Sequence, residues 1–261
     1  MNSLLSYFDT EADAPASRRD ALGTVGKLGL GAALAAVPFL KPGVARAQTS
    51  TGDAGILNYA LRLEYLERSF YRQALDSGAI PNAVRPLFQT IYDDEAAHVD
   101  FLRGALLDAG ADPVDYTDSD FTFDAFLGDF ASIATLAQGL EDTGVRAYKG
   151  QATAITTPAY LQAALQIHSV EARHAAAIRR LAPSPADQGW IPRNQPNAPA
   201  AIAPVYAGED NVTQGGLNLS SLLTGYTPVQ ITEAFDEPLD MSTVLGIAGP
   251  FITGNEGDGE D

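Results

Sequence analysis

Two short patterns carry the chemistry of this chain. Glu95-Ala96-Ala97-His98 and Glu171-Ala172-Arg173-His174 each set a carboxylate and an imidazole three residues apart, which on an α-helix is one face. Such a pair can grip one cation. With three histidines in 261 residues, a given glutamate meets a histidine at this spacing only ~1% of the time by composition. A single Glu-x-x-His on a helix is usually surface charge patterning. Two of them, in two apolar-periodic segments, point to a shared metal site instead.

Composition narrows the metal chemistry. The chain has no cysteine, which removes disulfides, thiolate zinc sites, iron–sulfur clusters and thiol catalysis together. Any ion is then held by oxygen and nitrogen donors, a set that suits iron, manganese or zinc rather than Cu(I). The net charge of −17 argues against nucleic acid and anionic membrane surfaces as partners, since both need a basic footprint. No nucleotide loop or serine triad competes for the function.

Four helices are needed to position these groups. Residues 56 to 75 repeat Leu57, Ala60, Leu61, Glu64, Glu67, Tyr71 and Leu75 on one stripe, with Asp53 expected to cap the start and Ser77-Gly78 to end it. The glutamates on that stripe need something to bind, because an unpaired buried charge is costly. A second helix is expected over 83 to 109, with Pro81 and Pro86 at its start. A third is expected over 123 to 154. Thr157-Pro158 opens the fourth, which continues to Pro183. Between the second and third, residues 110 to 121 can reach roughly 35 to 40 Å when extended, the length of a 25-residue helix, and so can cross the whole bundle.

The four helices read as two related pairs. Aligning Leu63-Glu64 with Leu140-Glu141 sets Tyr71 opposite Tyr148, each seven residues after its glutamate, and brings Glu95 near Glu171. Each pair supplies one lone Glu and one Glu-x-x-His. One Glu from each of two helices and Glu-x-x-His from each of the other two is the donor set of a carboxylate-bridged two-metal site in a ferritin-like bundle. Four carboxylates balance two divalent ions. Without ions they would repel one another, and some would take up protons.

The runs Leu63-Glu64-Tyr65-Leu66-Glu67 with Phe70-Tyr71, Asp94-Glu95-Ala96-Ala97-His98, Leu140-Glu141-Asp142-Thr143-Gly144 and Glu171-Ala172-Arg173-His174 resemble the exported ferritin-like proteins related to plant desiccation-related proteins. They are more distantly similar to ferritins and rubrerythrins. The resemblance covers residues 53 to 182, and Thr232 to Pro238 is similar to that family's C-terminal part. It implies an all-α fold: a ferritin-like four-helix bundle with a long crossover between helices two and three, plus an irregular C-terminal extension. It also implies Glu64, Glu95, His98, Glu141, Glu171 and His174 as ligands of two divalent ions, iron first and manganese next. Glu67 shares the stripe of Glu64, but its counterpart in the repeat is Gly144, so Glu64 is the preferred ligand and Glu67 a reserve or entry-path carboxylate. Asp94 resembles the aspartate that orients a metal-bound histidine, with His174 as its natural partner. The fourth helix has Val170 at the matching place. His168 either faces the same site or is an ordinary core histidine. Tyr71 and Tyr148 hydrogen-bond the ligating carboxylates, or take part in radical quenching, or are ordinary core tyrosines.

The ends of the chain differ from its middle. Residues 1 to 47 read as a twin-arginine signal peptide, with Arg18-Arg19, a Gly/Ala-rich apolar stretch and Ala45-Arg46-Ala47 before the cleavage point. That places the protein in the periplasm or outside the cell, with no permanent membrane span after cleavage. Residues 48 to 183 would form the bundle. Residues 184 to 253, broken by prolines, read as an irregular extension whose Leu217, Leu219, Leu222 and Leu223 bury against the bundle or against another subunit of a homo-oligomer. Residues 254 to 261 read as a disordered acidic tail. The expected function is oxidation of Fe²⁺ by O₂ or peroxide, or peroxide disposal, in stress protection. The alternative is a non-catalytic protective or structural protein stabilised by metal.

Overall fold

In the computed structural model, the described residues are 52–181, 189–193 and 198–253. The expected signal segment, the helix end at Pro183 and the acidic tail lie outside them. Four long helices make up the body: α1 Asp53–Asp76, α2 Arg85–Asp108, α3 Phe130–Gln151 and α4 Pro158–Arg179. Short turns join α1 to α2 and α3 to α4, and each pair packs along its length. No helix among the described residues is long and apolar enough to cross a membrane.

The crossover between α2 and α3 runs alongside α1. Asn58 binds the backbone of Asp112 and Val114, Tyr65 donates to Asp115, and Gln73 donates to the carbonyls of Asp118 and Phe121. From Asn58 to Gln73 the helix rises about 22 Å at 1.5 Å per residue. The connection therefore carries the chain from one end of the bundle to the other.

Two helix starts differ from expectation. The third begins at Phe130, not Phe123, because Asp129 adopts an extended conformation and accepts from the Ser132 N–H at 2.9 Å. Phe123 instead packs between Phe70 and Phe251. Asp53 does not cap α1. Its carboxylate accepts from the backbone N–H groups of Thr156 and Thr157 at 2.8 Å each, tying the start of α1 to the start of α4.

The described part of the C-terminal extension holds a two-residue hairpin, β1 Thr213–Gln214 with β2 Leu217–Asn218, and short helices α5 Leu219–Leu222, α6 Pro228–Thr232 and α7 Met241–Ala248. It is held to α3 by charge as well as by packing. Arg146, 1% exposed, donates to the carbonyls of Val205, Ala207 and Glu237 and lies 3.0 Å from Glu209. Beside it, buried Asp142 accepts from Arg179 and from the Tyr206 hydroxyl, which in turn accepts from Gln138. Glycines on α3 let the extension come close: a Cβ at Gly139 would meet Ile202 and one at Gly150 the carbonyl of Leu239. Leu217, Leu222 and Leu223 do not bury against the bundle; they stay exposed, as does Tyr226.

Candidate metal centre

Each long helix contributes one fully buried carboxylate to the middle of the bundle: Glu64, Glu95, Glu141 and Glu171 are all 0% exposed. Two groups of donors form around them. Glu64, Glu95, His98 and Glu171 offer atoms within 4.8 Å of one another, and so do Glu95, Glu141, Glu171 and His174. Glu95 and Glu171 belong to both groups. Glu64 and His98 belong to the first group alone, Glu141 and His174 to the second alone.

The distances fit ions better than hydrogen bonds. His98 Nδ1 lies 3.1 Å from both Glu64 Oε2 and Glu95 Oε2 and 3.2 Å from Glu171 Oε1. One ring nitrogen has one proton at most, so it cannot serve three oxygens. His174 Nδ1 lies 3.0 Å from Glu95 Oε1 and 3.3 Å from Glu141 Oε2 without the alignment of a hydrogen bond. Donors about 2.1 Å from a divalent ion and at right angles to one another stand about 3.0 Å apart. Buried oxygens of Glu95, Glu141 and Glu171 are left with no hydrogen-bond partner, a costly state that a cation relieves. The cluster fits a metal site.

Electrostatics agree. Burial pushes Glu95 up to about 7, against the hydrogen bonds of His174 and His98 that favour its charged form. Burial and the neighbouring carboxylates raise Glu171 and Glu67 well above the usual range. Burial opposes the charge on both imidazoles, but the surrounding glutamates outweigh it and raise them. Burial also works against the charge on Glu64, yet His98 outweighs it and holds this carboxyl low. Protons and imidazolium thus occupy the place that divalent charge would take.

Around the donors sits a crossed support. The Tyr71 hydroxyl donates to Glu141 Oε1 and the Tyr148 hydroxyl to Glu64 Oε1. Each tyrosine therefore serves the glutamate of the other helix pair. Asp94 Oδ2 lies 3.1 Å from His174 Nε2, fixing the ring with Nδ1 inward. Glu67, 3% exposed, is in neither group but borders the site. A Cβ at Gly144 would stand 3.2 Å from Glu67 Oε1 and 3.1 Å from Glu171 Oε2, so the glycine in the repeat is what makes room for the extra carboxylate. His168 does not join them. Burial and Lys149 lower its pKa, and it belongs to neither group.

Sequence reasoning did not foresee the Arg146–Glu209 and Asp142–Arg179–Tyr206 contacts next to this centre. The available signal was a pair of opposite charges four residues apart, Asp142 and Arg146, beside Glu141 on α3.

Four helices with a carboxylate from each and two imidazoles at the centre define a four-helix bundle of metal-site type. Residues 52–183 match the ferritin-like domain family, and the chain belongs to it. Among curated proteins none matches it significantly.

Proposed function

We propose that this is an exported two-metal protein that oxidises Fe²⁺ with dioxygen or peroxide, with iron as the working metal and manganese as the next best fit. What supports this most is the convergence of four fully buried carboxylates and two imidazoles in two groups that share Glu95 and Glu171. Glu64 and His98 would hold one ion, Glu141 and His174 the other. Ferrous ions held there would supply one-electron reducing equivalents, two of which with two protons would take dioxygen to hydrogen peroxide or peroxide to two waters.

The remaining work falls to the chain. Tyr71 and Tyr148 keep Glu141 and Glu64 in register, and Asp94 keeps His174 turned inward. The helices exclude water from the carboxylates. Glu67 offers a buried group that can hold a proton beside Glu171. Export by the twin-arginine route suits a protein that takes its ions before leaving the cell, and the exposed Leu217, Leu222, Leu223 and Tyr226 suit self-association.

A second reading, metal as a structural clamp without turnover, is favoured by the complete enclosure of the four carboxylates. Anaerobic titration with Fe²⁺ followed by air or peroxide separates the two. Two ions per chain and oxo-bridged ferric absorption with repeated turnover are expected. Stoichiometric binding without redox change overturns the catalytic reading, and failure to bind overturns both.

A further inference from the structure

Beyond the carboxylates, towards the α3–α4 turn, the four helices do not close fully. Tyr59, Leu63, Leu102, Ala147, Tyr148 and Ala164 are buried around a cavity of about 20 Å³. Partly exposed Phe101, Ile155 and Tyr160 line it nearer the surface. Its inner wall touches the centre. Leu63 precedes Glu64, Leu102 lies one turn beyond His98, and Tyr148 is the residue whose hydroxyl holds Glu64.

Volume and chemistry select the occupant. The room exceeds the ~10–15 Å³ that one water needs. A buried water wants two to four polar partners; Gln151 lies at the partly exposed outer side, and the inner wall offers little. The Tyr148 hydroxyl is committed to Glu64, and the Tyr59 hydroxyl is one group without a partner among the described residues. Ferrous ion and peroxide are strongly hydrated and gain nothing from such a lining. Apolar cavities of this kind stay dry and take apolar gases.

We propose that this cavity binds dioxygen and delivers it to the metal centre past Leu63 and Tyr148, so that dioxygen is the oxidant for which this protein is built. The inference rests on the two-metal reading, but binding of an apolar gas does not need the metal. Xenon pressurisation of crystals of the metal-free full chain tests occupancy directly, with xenon expected between Leu63, Leu102, Tyr148 and Ala164. The second arm fills the cavity with Ala164→Leu or, if that variant does not fold, Ala60→Val, and compares oxidation of the ferrous-loaded protein by dioxygen and by peroxide in stopped flow. Dioxygen oxidation should slow ~tenfold, the effect of a modest added barrier, while the peroxide rate and metal content stay as in the parent. Absence of xenon, or equal slowing of both oxidants, or no slowing of either, overturns the dioxygen route while leaving the two-metal reading in place. A parent protein that binds xenon but reacts with neither oxidant overturns the redox reading itself and the delivery role with it.

Discussion

Replacing Glu95 by Gln should stabilise the metal-free protein at alkaline pH and abolish its stabilisation by metal. Glu95 has its acid form favoured up to about 7, against an ordinary value of 4.5. A raised carboxyl contributes stability that is complete below its unfolded pKa and is lost as pH rises through the folded one. At about 1.4 kcal/mol per pH unit, the metal-free parent should lose ~3 kcal/mol on this account between pH 4.5 and pH 8. The raised imidazoles of His98 and His174 act in the same direction, being fully stabilising below about 6.5 and losing that contribution as pH rises. Gln cannot ionise, so Glu95→Gln removes the Glu95 part of the slope. For a domain of this size that is roughly 6 to 12 °C of Tm at pH 8 relative to pH 5, taking 2 to 4 °C per kcal/mol. Metal should do the opposite to the parent. At a hundredfold excess over Kd each site adds ~2.7 kcal/mol, increasingly as pH rises and protons leave the ligands. The variant should lose this gain, because Glu95 belongs to both donor groups. The assay is thermal melting by circular dichroism at pH 5, 6.5 and 8, with chelator and with Mn²⁺, which tolerates air. Equal pH slopes in parent and variant, or an undiminished metal shift in the variant, would refute the reasoning.

Other substitutions probe neighbouring parts of the structure. Gly144→Ala gains about 1 kcal/mol of helix propensity but sets a methyl 3.1 Å from Glu171 Oε2 and 3.2 Å from Glu67 Oε1; melting of the metal-free form should hold or rise while elemental analysis finds less bound metal. Asp94→Asn should weaken binding of one ion about 10- to 100-fold through the loosened His174 ring, seen in a Mn²⁺ titration followed by electron paramagnetic resonance as one weakened site beside one unchanged. Arg146→Met leaves Glu209 buried without its cation and three carbonyls without a donor. It should cost about 3 to 5 kcal/mol, with limited proteolysis cutting first within residues 198 to 240.

The bundle was legible because a 3.6-residue stripe and an internal repeat are both local signals, and four helices with one crossover leave few ways to pack them. The same repeat picked out Glu64, Glu95, His98, Glu141, Glu171 and His174, which the folded chain brings together in two groups. Asp94 was likewise readable from its place before Glu95. What stayed hidden depended on contacts between distant segments. Asp53 looked like the cap of its own helix, and only the folded chain brings Thr156 and Thr157 to it. The start of α3 was displaced because Phe123 carries an apolar side chain that serves a loop as well as a helix. The burial of Arg146 beneath the extension had no periodic signature, because its partners are backbone carbonyls of irregular segments. His168, one turn from Glu171 in sequence, joins neither donor group, which spacing alone does not reveal.

The crossed tyrosines carry a consequence for how such a molecule can be divided. Tyr71 steadies Glu141 and Tyr148 steadies Glu64, so neither helical hairpin is furnished with its own anchoring phenol. A chain cut down to one hairpin would have to embrace a twin to rebuild the missing half, and the pair would then recover every hydroxyl-to-carboxylate contact by symmetry. In the single chain that symmetry is broken at one place, where Gly144 stands opposite Glu67 and leaves room for a carboxylate on one side only.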